Sequence, residues 1–129
     1  MSRFRRVRTL ALLFALIAGP LGCAKSGPEK YVIGFANPLT AGSADLGRLA
    51  QLGVMLRVKE INEAGGINGK QIEVLYNDDK SDPKEAANIA QLLASTPEVL
   101  AVIGHFNSSC TIAGKAVYAQ AHLVEFSCA

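Results

Sequence analysis

Residues 99–114, VLAVIGHFNSSCTIAG, decide how the rest of this 129-residue chain is read. An apolar run over residues 99–103 ends at Gly104, and a short polar bend follows over residues 105–109. Thr111, Ile112, Ala113, Ala116 and Val117 then recur at helical spacing, which predicts strand, loop and helix with hydroxyls at the turn. In an open parallel sheet, ligands collect outside the carboxyl ends of the strands. A helix N-terminus there presents unpaired backbone N–H groups and a partial positive charge to an anion. Ser108 and Ser109 add hydroxyl donors. On these residues alone two readings stand: a carboxylate-binding loop, or the helix cap of any α/β protein.

Upstream, residues 31–36 (YVIGFA) form an almost wholly apolar run rich in β-formers, the pattern of a strand buried on both faces. After a loop with Pro38 and Gly42, a helix is expected with Ser43 as N-cap and Asp45 in its first turn. Leu46, Leu49, Ala50, Gly53, Val54, Val58 and Ile61 would form its inward face. Gly65 and Gly66 end it, and Asn68-Gly69 turns the chain toward the next strand. Residues 71–77 (QIEVLYN) alternate apolar and polar, which predicts a strand nearer a sheet edge. Asp82, Pro83 and Glu85 announce a second helix with a capping carboxylate, proline at its first position and an acid three residues after the cap. That helix runs over residues 83–95 on small residues and is broken at Thr96 and Pro97. A last apolar stretch covers residues 123–126. The order βαβαβαβ with short links predicts an α/β fold, an open parallel sheet with helices on both faces.

Composition sets the class. The chain is 50% hydrophobic and 19% charged, suited to one globular domain, and its net charge is only +2. Arg3, Arg5, Arg6 and Arg8 crowd the N-terminus, so the folded part carries no basic surface suited to nucleic acid. His105 and His122 share no helical or finger-type spacing, and Cys23, Cys110 and Cys128 form no CxxC pair, so no metal and no cofactor is expected. The carboxylates of Asp78, Asp79 and Asp82 match no calcium loop and are read as strand-end and capping groups. An enzyme is not expected. GHFNSS is not a G-x-S-x-G elbow, no G-x-G-x-x-G follows the first strand, and no nucleophile stands with an acid/base pair.

Residues 1–22 read as a signal peptide, with an arginine-rich start and an apolar run, LALLFALIA (residues 10–18), too short to span a bilayer comfortably. The segment ends in PLGC, which resembles a bacterial lipobox and makes Cys23 the acylated residue. Pro20 departs from the aliphatic residue usual there, so cleavage after Ala18 is the competing expectation. Residues 23–29 then form a polar, lipidated linker. In an oxidising compartment Cys110 has three readings: a thiol activated at a helix start, a packed thiol, or a disulfide partner for Cys128.

Three blocks carry a family resemblance: GRLAQLGVMLRVKEINEAGGINGKQIEVLYN, the following DDKSDPKEAANIAQLL, and VIGHFNSSCTIAGKAVY. Together they resemble the type 1 periplasmic solute-binding proteins, in particular the branched-chain amino-acid (leucine/isoleucine/valine) binding family of ABC importers. The resemblance covers residues 30–129. It implies a two-lobed clamp that closes on a small ligand, an amino acid or similar molecule, and delivers it to an ABC permease in the membrane. It also implies a periplasmic or cell-surface location, anchored if Cys23 carries lipid. By the same resemblance Ser108 holds the ligand carboxylate with hydroxyl and amide, Phe106 and Asn107 line the side-chain pocket, Leu46 packs on the ligand, and the Ala129 carbonyl receives its ammonium. Leu46 stands where an aromatic is common and Asn107 where an apolar residue or cysteine is common, so the ligand need not be branched-chain. His105 is expected to be structural, bonding backbone at the strand end.

The family's clamp runs to several hundred residues, so residues 30–129 are expected to be the N-terminal part of lobe one, binding no amino acid tightly alone. The alternatives are a ligand-sensing extracellular domain of a receptor or regulator of the same fold, and a fragment without function of its own.

Overall fold

The computed structural model describes residues 30–127. The signal peptide, the linker, the lipidation expected at Cys23, and the roles expected of Cys128 and Ala129 lie outside the described residues. The elements are β1 (Lys30–Asn37), α1 (Ala44–Glu63), β2 (Gln71–Asp78), α2 (Pro83–Ala94), β3 (Val99–Gly104), α3 (Ser108–Gln120) and β4 (Val124–Phe126). All strand pairs are parallel, in the order β2-β1-β3-β4. The chain therefore leaves β1 toward β2 on one side, then returns to build β3 and β4 on the other. With right-handed crossovers this sets α1 against one face of the sheet and α2 and α3, packed on each other, against the opposite face. The expected open parallel sheet with helices on both faces is what forms, and β2 is an edge strand as its alternation predicts. None of the described helices is long and apolar enough to cross a membrane.

The α2/α3 face holds the core. Val32, Ala36, Val99 and Val102 of the sheet meet Ile89, Ala90 and Leu93 of α2 and Tyr118 of α3, all buried. Each large apolar side chain so removed from water stabilises the fold by roughly 1.5–3 kcal/mol. Gly34 makes room for α2, since a Cβ there would lie 2.8 Å from Leu93 Cδ1. Asp82 caps α2 as its sequence predicts, its carboxylate accepting from Lys84 N at 2.8 Å with Pro83 next in the chain.

The α1 face departs from expectation. Ala44 and Gly47 are buried, and Val54, Val58 and Ile61 turn toward the sheet, whereas Leu46, Leu49, Ala50 and Gly53 of the expected stripe are exposed. Helix α1 carries apolar residues on two sides, so periodicity alone cannot choose between them. Contact chooses: a Cβ on Gly47 would stand 1.7 Å from the Pro38 carbonyl oxygen, so only glycine lets this turn lie on the β1–α1 loop. Asn62 fixes the other end, donating from Nδ2 to the Ile72 carbonyl at 2.8 Å and accepting at Oδ1 from Ile72 N at 2.7 Å. Beside α1 an open apolar cavity of ≈ 250 Å³ is lined by Ile33, Val54, Ile61, Val74, Ile103 and Phe126. Among the described residues α1 is the one helix on this face, and Val124 and Phe126 of β4 remain exposed.

Candidate functional site

Strand order reverses at β1, so the carboxyl ends of β1 and its neighbour β3 form the topological switch point where ligands of open α/β sheets bind. The loops leaving those strands, residues 38–43 and 105–107, flank it. Gly104 holds φ 135°, and a Cβ there would lie 1.9 Å from the Ala36 carbonyl oxygen, so glycine alone lets β3 end this close to β1.

Three helices begin at this edge, and they differ in how their first N–H groups are met. Asp82 caps α2, whereas Ser43 before α1 and Asn107 before α3 make no side-chain cap hydrogen bond. The first turn of α3 also carries no acidic residue. Among the described residues no side chain caps its orphan N–H groups and positive dipole end, which suits a carboxylate. Ser108 and Ser109, exposed, are the first two residues of this helix rather than part of the bend.

Asn107 is half-buried and ties three loops together. Its Oδ1 accepts from Ser81 Oγ at 3.2 Å and its Nδ2 donates to Ser43 Oγ at 3.4 Å, while Ser81 Oγ also accepts from Ser43 N at 3.1 Å. This clasp sets the starts of α1 and α3 side by side, bringing Leu46, exposed in the first turn of α1, to the same edge as Ser108 and half-buried Phe106. Ser43 stands at the N-cap position as expected, but its hydroxyl accepts from Asn107 instead of capping α1; that partnership carries no sequence signal, because the clasp joins positions 26 to 64 residues apart.

Beneath the loop lies a buried polar relay. His105 and Asp79 are fully buried, with Nδ1 2.7 Å from Asp79 Oδ2 and Nε2 3.2 Å from the Tyr118 hydroxyl. The ring stacks on Tyr118 at 6.0 Å between centroids. His105 is structural as expected, but its ring bonds two side chains rather than backbone; it is the His105 carbonyl that accepts from Thr111 Oγ1 at 3.1 Å and Ser127 Oγ at 2.8 Å. A Cβ on Gly114 would stand 3.0 Å from His105 Nε2, so α3 packs directly on the ring. Burial pushes the Tyr118 hydroxyl well above its ordinary pKa, assisted by the charges of Glu125 and Asp79. Glu125 is likewise raised by burial, against the lowering influence of His105 and Lys115, and its Oε1 is buried with no hydrogen-bond partner among the described residues.

The neighbouring carboxylates are held by local hydrogen bonds. Asp78 accepts from Leu39 N at 2.7 Å, Lys80 N at 3.0 Å and the Thr40 hydroxyl, pinning the β1–α1 loop to the end of β2. Burial pushes its carboxyl up, but those hydrogen bonds outweigh it and hold the pKa below the ordinary value. Asp79 accepts from Ser81 N at 3.0 Å and from the His105 ring. Cys110 is a free, fully buried thiol, and burial followed by the charge of Asp79 pushes its pKa up. The activated-thiol reading therefore fails: burial in α3 opposes the thiolate more than the helix start favours it.

Comparison with known proteins agrees with this architecture. The periplasmic binding protein family model matches residues 30–129. A Leu/Ile/Val-binding protein homolog from Brucella abortus is 42% identical over 111 residues, covering 86% of this chain and 30% of that protein. The branched-chain amino acid transporter substrate-binding protein of Streptococcus pneumoniae, solved in complex with isoleucine, superposes with a TM-score of 0.73 at 40% identity. It covers 76% of this chain and 28% of that one. An ABC transporter substrate-binding protein from Desulfitobacterium hafniense in complex with Leu gives a TM-score of 0.69 at 38% identity, with the same coverage of 76% and 28%. The chain thus spans about 30% of the length of the curated relatives it matches.

Proposed function

The chain belongs to the periplasmic binding protein family, and we propose that it forms the carboxylate-binding part of lobe one in an extracytoplasmic solute-binding component of an ABC importer for amino acids. The observation that carries this is the uncapped N-terminus of α3 at the switch point, with Ser108 exposed on its first turn. A ligand α-carboxylate there accepts hydrogen bonds from backbone N–H groups and from the Ser108 hydroxyl, and the helix dipole favours its charge. Phe106 and Leu46 supply apolar walls for the ligand side chain. Asn107 contributes chiefly by holding the α1 and α3 starts together, its amide being engaged by Ser43 and Ser81. The Ala129 carbonyl receives the ligand ammonium. No step of bond making or breaking is involved, and the relatives named above are binding proteins rather than enzymes.

In this reading the protein is periplasmic or cell-surface, tethered to the membrane through acylated Cys23 and a short linker, and its partner is an ABC permease. Within residues 30–127 the carboxylate site lies open at the sheet edge, where each hydrogen bond to ligand replaces one to water, so affinity is low. The relatives' names, which speak of leucine, isoleucine and valine binding, favour an aliphatic amino acid.

The test is an NMR titration of the chain with leucine and with isopentylamine, which keeps the side chain and amine but lacks the carboxylate. Leucine is expected to shift the Ser108, Ser109 and Cys110 amides at millimolar concentration and the amine to leave them still. Ser108→Ala is expected to weaken the leucine effect severalfold. Equal shifts from both molecules, or none from leucine, would refute the carboxylate assignment.

A further inference from the structure

We propose that Ser81 is a positioning residue for the carboxylate site: it draws the Asn107 side chain away from the start of α3 and so keeps that helix end open for a ligand. The inference rests on the carboxylate reading given above. Asn107 occupies the N-cap position of α3, and asparagine is among the residues that cap helices best. Its backbone, at φ −86° and ψ 133°, lies in the extended region from which an N-cap side chain reaches its helix, yet it makes no cap hydrogen bond. Asp82, at φ −105° and ψ 118°, has the same backbone form before α2 and does cap, accepting from Lys84 N at 2.8 Å. The equivalent donor in α3 is Ser109 N. Cys110 N and Thr111 N already donate to the Asn107 carbonyl, both at 2.9 Å, so Ser109 N is the donor that a turned Asn107 side chain would take from a ligand.

Asn107 is held back by its partners. Ser81 Oγ donates at 3.2 Å to Asn107 Oδ1, the atom that a cap requires, and Ser43 Oγ accepts from Asn107 Nδ2 at 3.4 Å. The chain around Ser81 is arranged to deliver that hydroxyl. Ser81 and the preceding Lys80 both adopt left-handed φ, 59° and 53°, a region that favours glycine. Asp79 holds this turn: its Oδ1 accepts from Ser81 N at 3.0 Å, while its Oδ2 lies 2.7 Å from the His105 ring. One buried carboxylate thus fixes both Ser81 and the loop that carries Asn107. The turn itself would accept glycine at position 81; the hydroxyl is what links it to Ser43 and Asn107.

Ser81→Gly is therefore the informative variant, because glycine suits the left-handed backbone and only the hydroxyl is lost. NMR of the whole chain reads it in two ways. Without ligand, the Ser109 amide is expected to exchange with solvent about fivefold more slowly, the factor that a typical asparagine cap confers. With leucine, the Ser108 shifts are expected to need about fivefold more ligand, since the cap competes with the carboxylate. Adding Asn107→Ala removes the competing cap and is expected to return both readings to within about twofold of the parent. A merely structural role for Ser81 would instead loosen the loops, speed exchange at Ser109 and gain nothing from the second substitution. Ser43→Ala, which frees the same amide from its other partner, is expected to act in the same direction and takes the place of Ser81→Gly should that chain not fold. Ser109 exchange that is unchanged or faster, or a double variant that binds leucine as weakly as Ser81→Gly, would overturn the proposal. A parent chain that shows no leucine shift refutes the carboxylate assignment instead, and the ligand-free exchange still decides whether Ser81 diverts Asn107.

Discussion

Gly47→Ala should destabilise the protein even though it replaces glycine by the best helix former, and Gly53→Ala, six residues on in the same helix, should do the opposite. The added methyl at position 47 would sit 1.7 Å from the Pro38 carbonyl oxygen, half the 3.4 Å at which ordinary van der Waals contact begins, and 2.8 Å from the carbonyl carbon. Pro38 is buried, and the loop it belongs to is held on both sides: Leu39 N donates to Asp78 at 2.7 Å and the Leu39 carbonyl accepts from Arg48 at 2.9 Å. The clash must therefore be relieved by moving α1 or the loop as a body. Overpacking of this kind costs about 1–3 kcal/mol, and against backbone that is tied down the upper end applies. Helix propensity returns about 1 kcal/mol, leaving a net loss of about 2 kcal/mol. At position 53 nothing lies within 4 Å, so the propensity gain of about 0.5–1 kcal/mol stands alone. Urea unfolding followed by circular dichroism gives both values. Because Gly47 also sets the distance between α1 and the switch point, Gly47→Ala should weaken the leucine-induced shifts at Ser108, whereas Gly53→Ala should keep them. A Gly47→Ala protein as stable as the parent, or a Gly53→Ala protein less stable, would refute the reasoning that contact with Pro38 sets the rotation of α1.

Three further outcomes follow from the buried network under the loop. Tyr118→Phe removes the hydroxyl 3.2 Å from His105 Nε2 and leaves that buried nitrogen without its partner, so a loss of about 1–2 kcal/mol in urea unfolding is expected; a loss near zero would mean the contact does not form. Glu125→Gln should raise the melting temperature near neutral pH. A carboxyl whose folded pKa is raised favours folding when protonated and loses that contribution as pH rises through the raised value, so the advantage of glutamine should vanish below the ordinary carboxylate range. A pH-independent difference would sink that account. Cys110 should resist iodoacetamide in the native protein and react on unfolding, its thiol being fully buried with a raised pKa; rapid native labelling would contradict the packing.

How far the sequence reached depended on the range of the interactions concerned. The alternation of apolar runs and helical periods placed each of the seven described elements and their parallel order, because burying a strand on two faces or a helix on one imposes those patterns locally. Asp82-Pro83 was legible as a cap for the same reason, since the carboxylate meets an N–H two residues away. The family blocks pointed to Ser108, and the structure puts it on the first turn of an uncapped helix at the switch point. Three features were decided only when the chain closed on itself. Which side of α1 faces the sheet was settled by the approach of Gly47 to Pro38, since apolar residues lie on both sides of that helix, Val54, Val58 and Ile61 on one and Leu49, Leu52 and Leu56 on the other. His105 found Asp79 and Tyr118, and Asn107 found Ser43 and Ser81, across 13 to 64 residues of chain. A hydrogen bond acts over about 3 Å and leaves no periodicity in the sequence, so such partners become visible only when the fold has set them side by side.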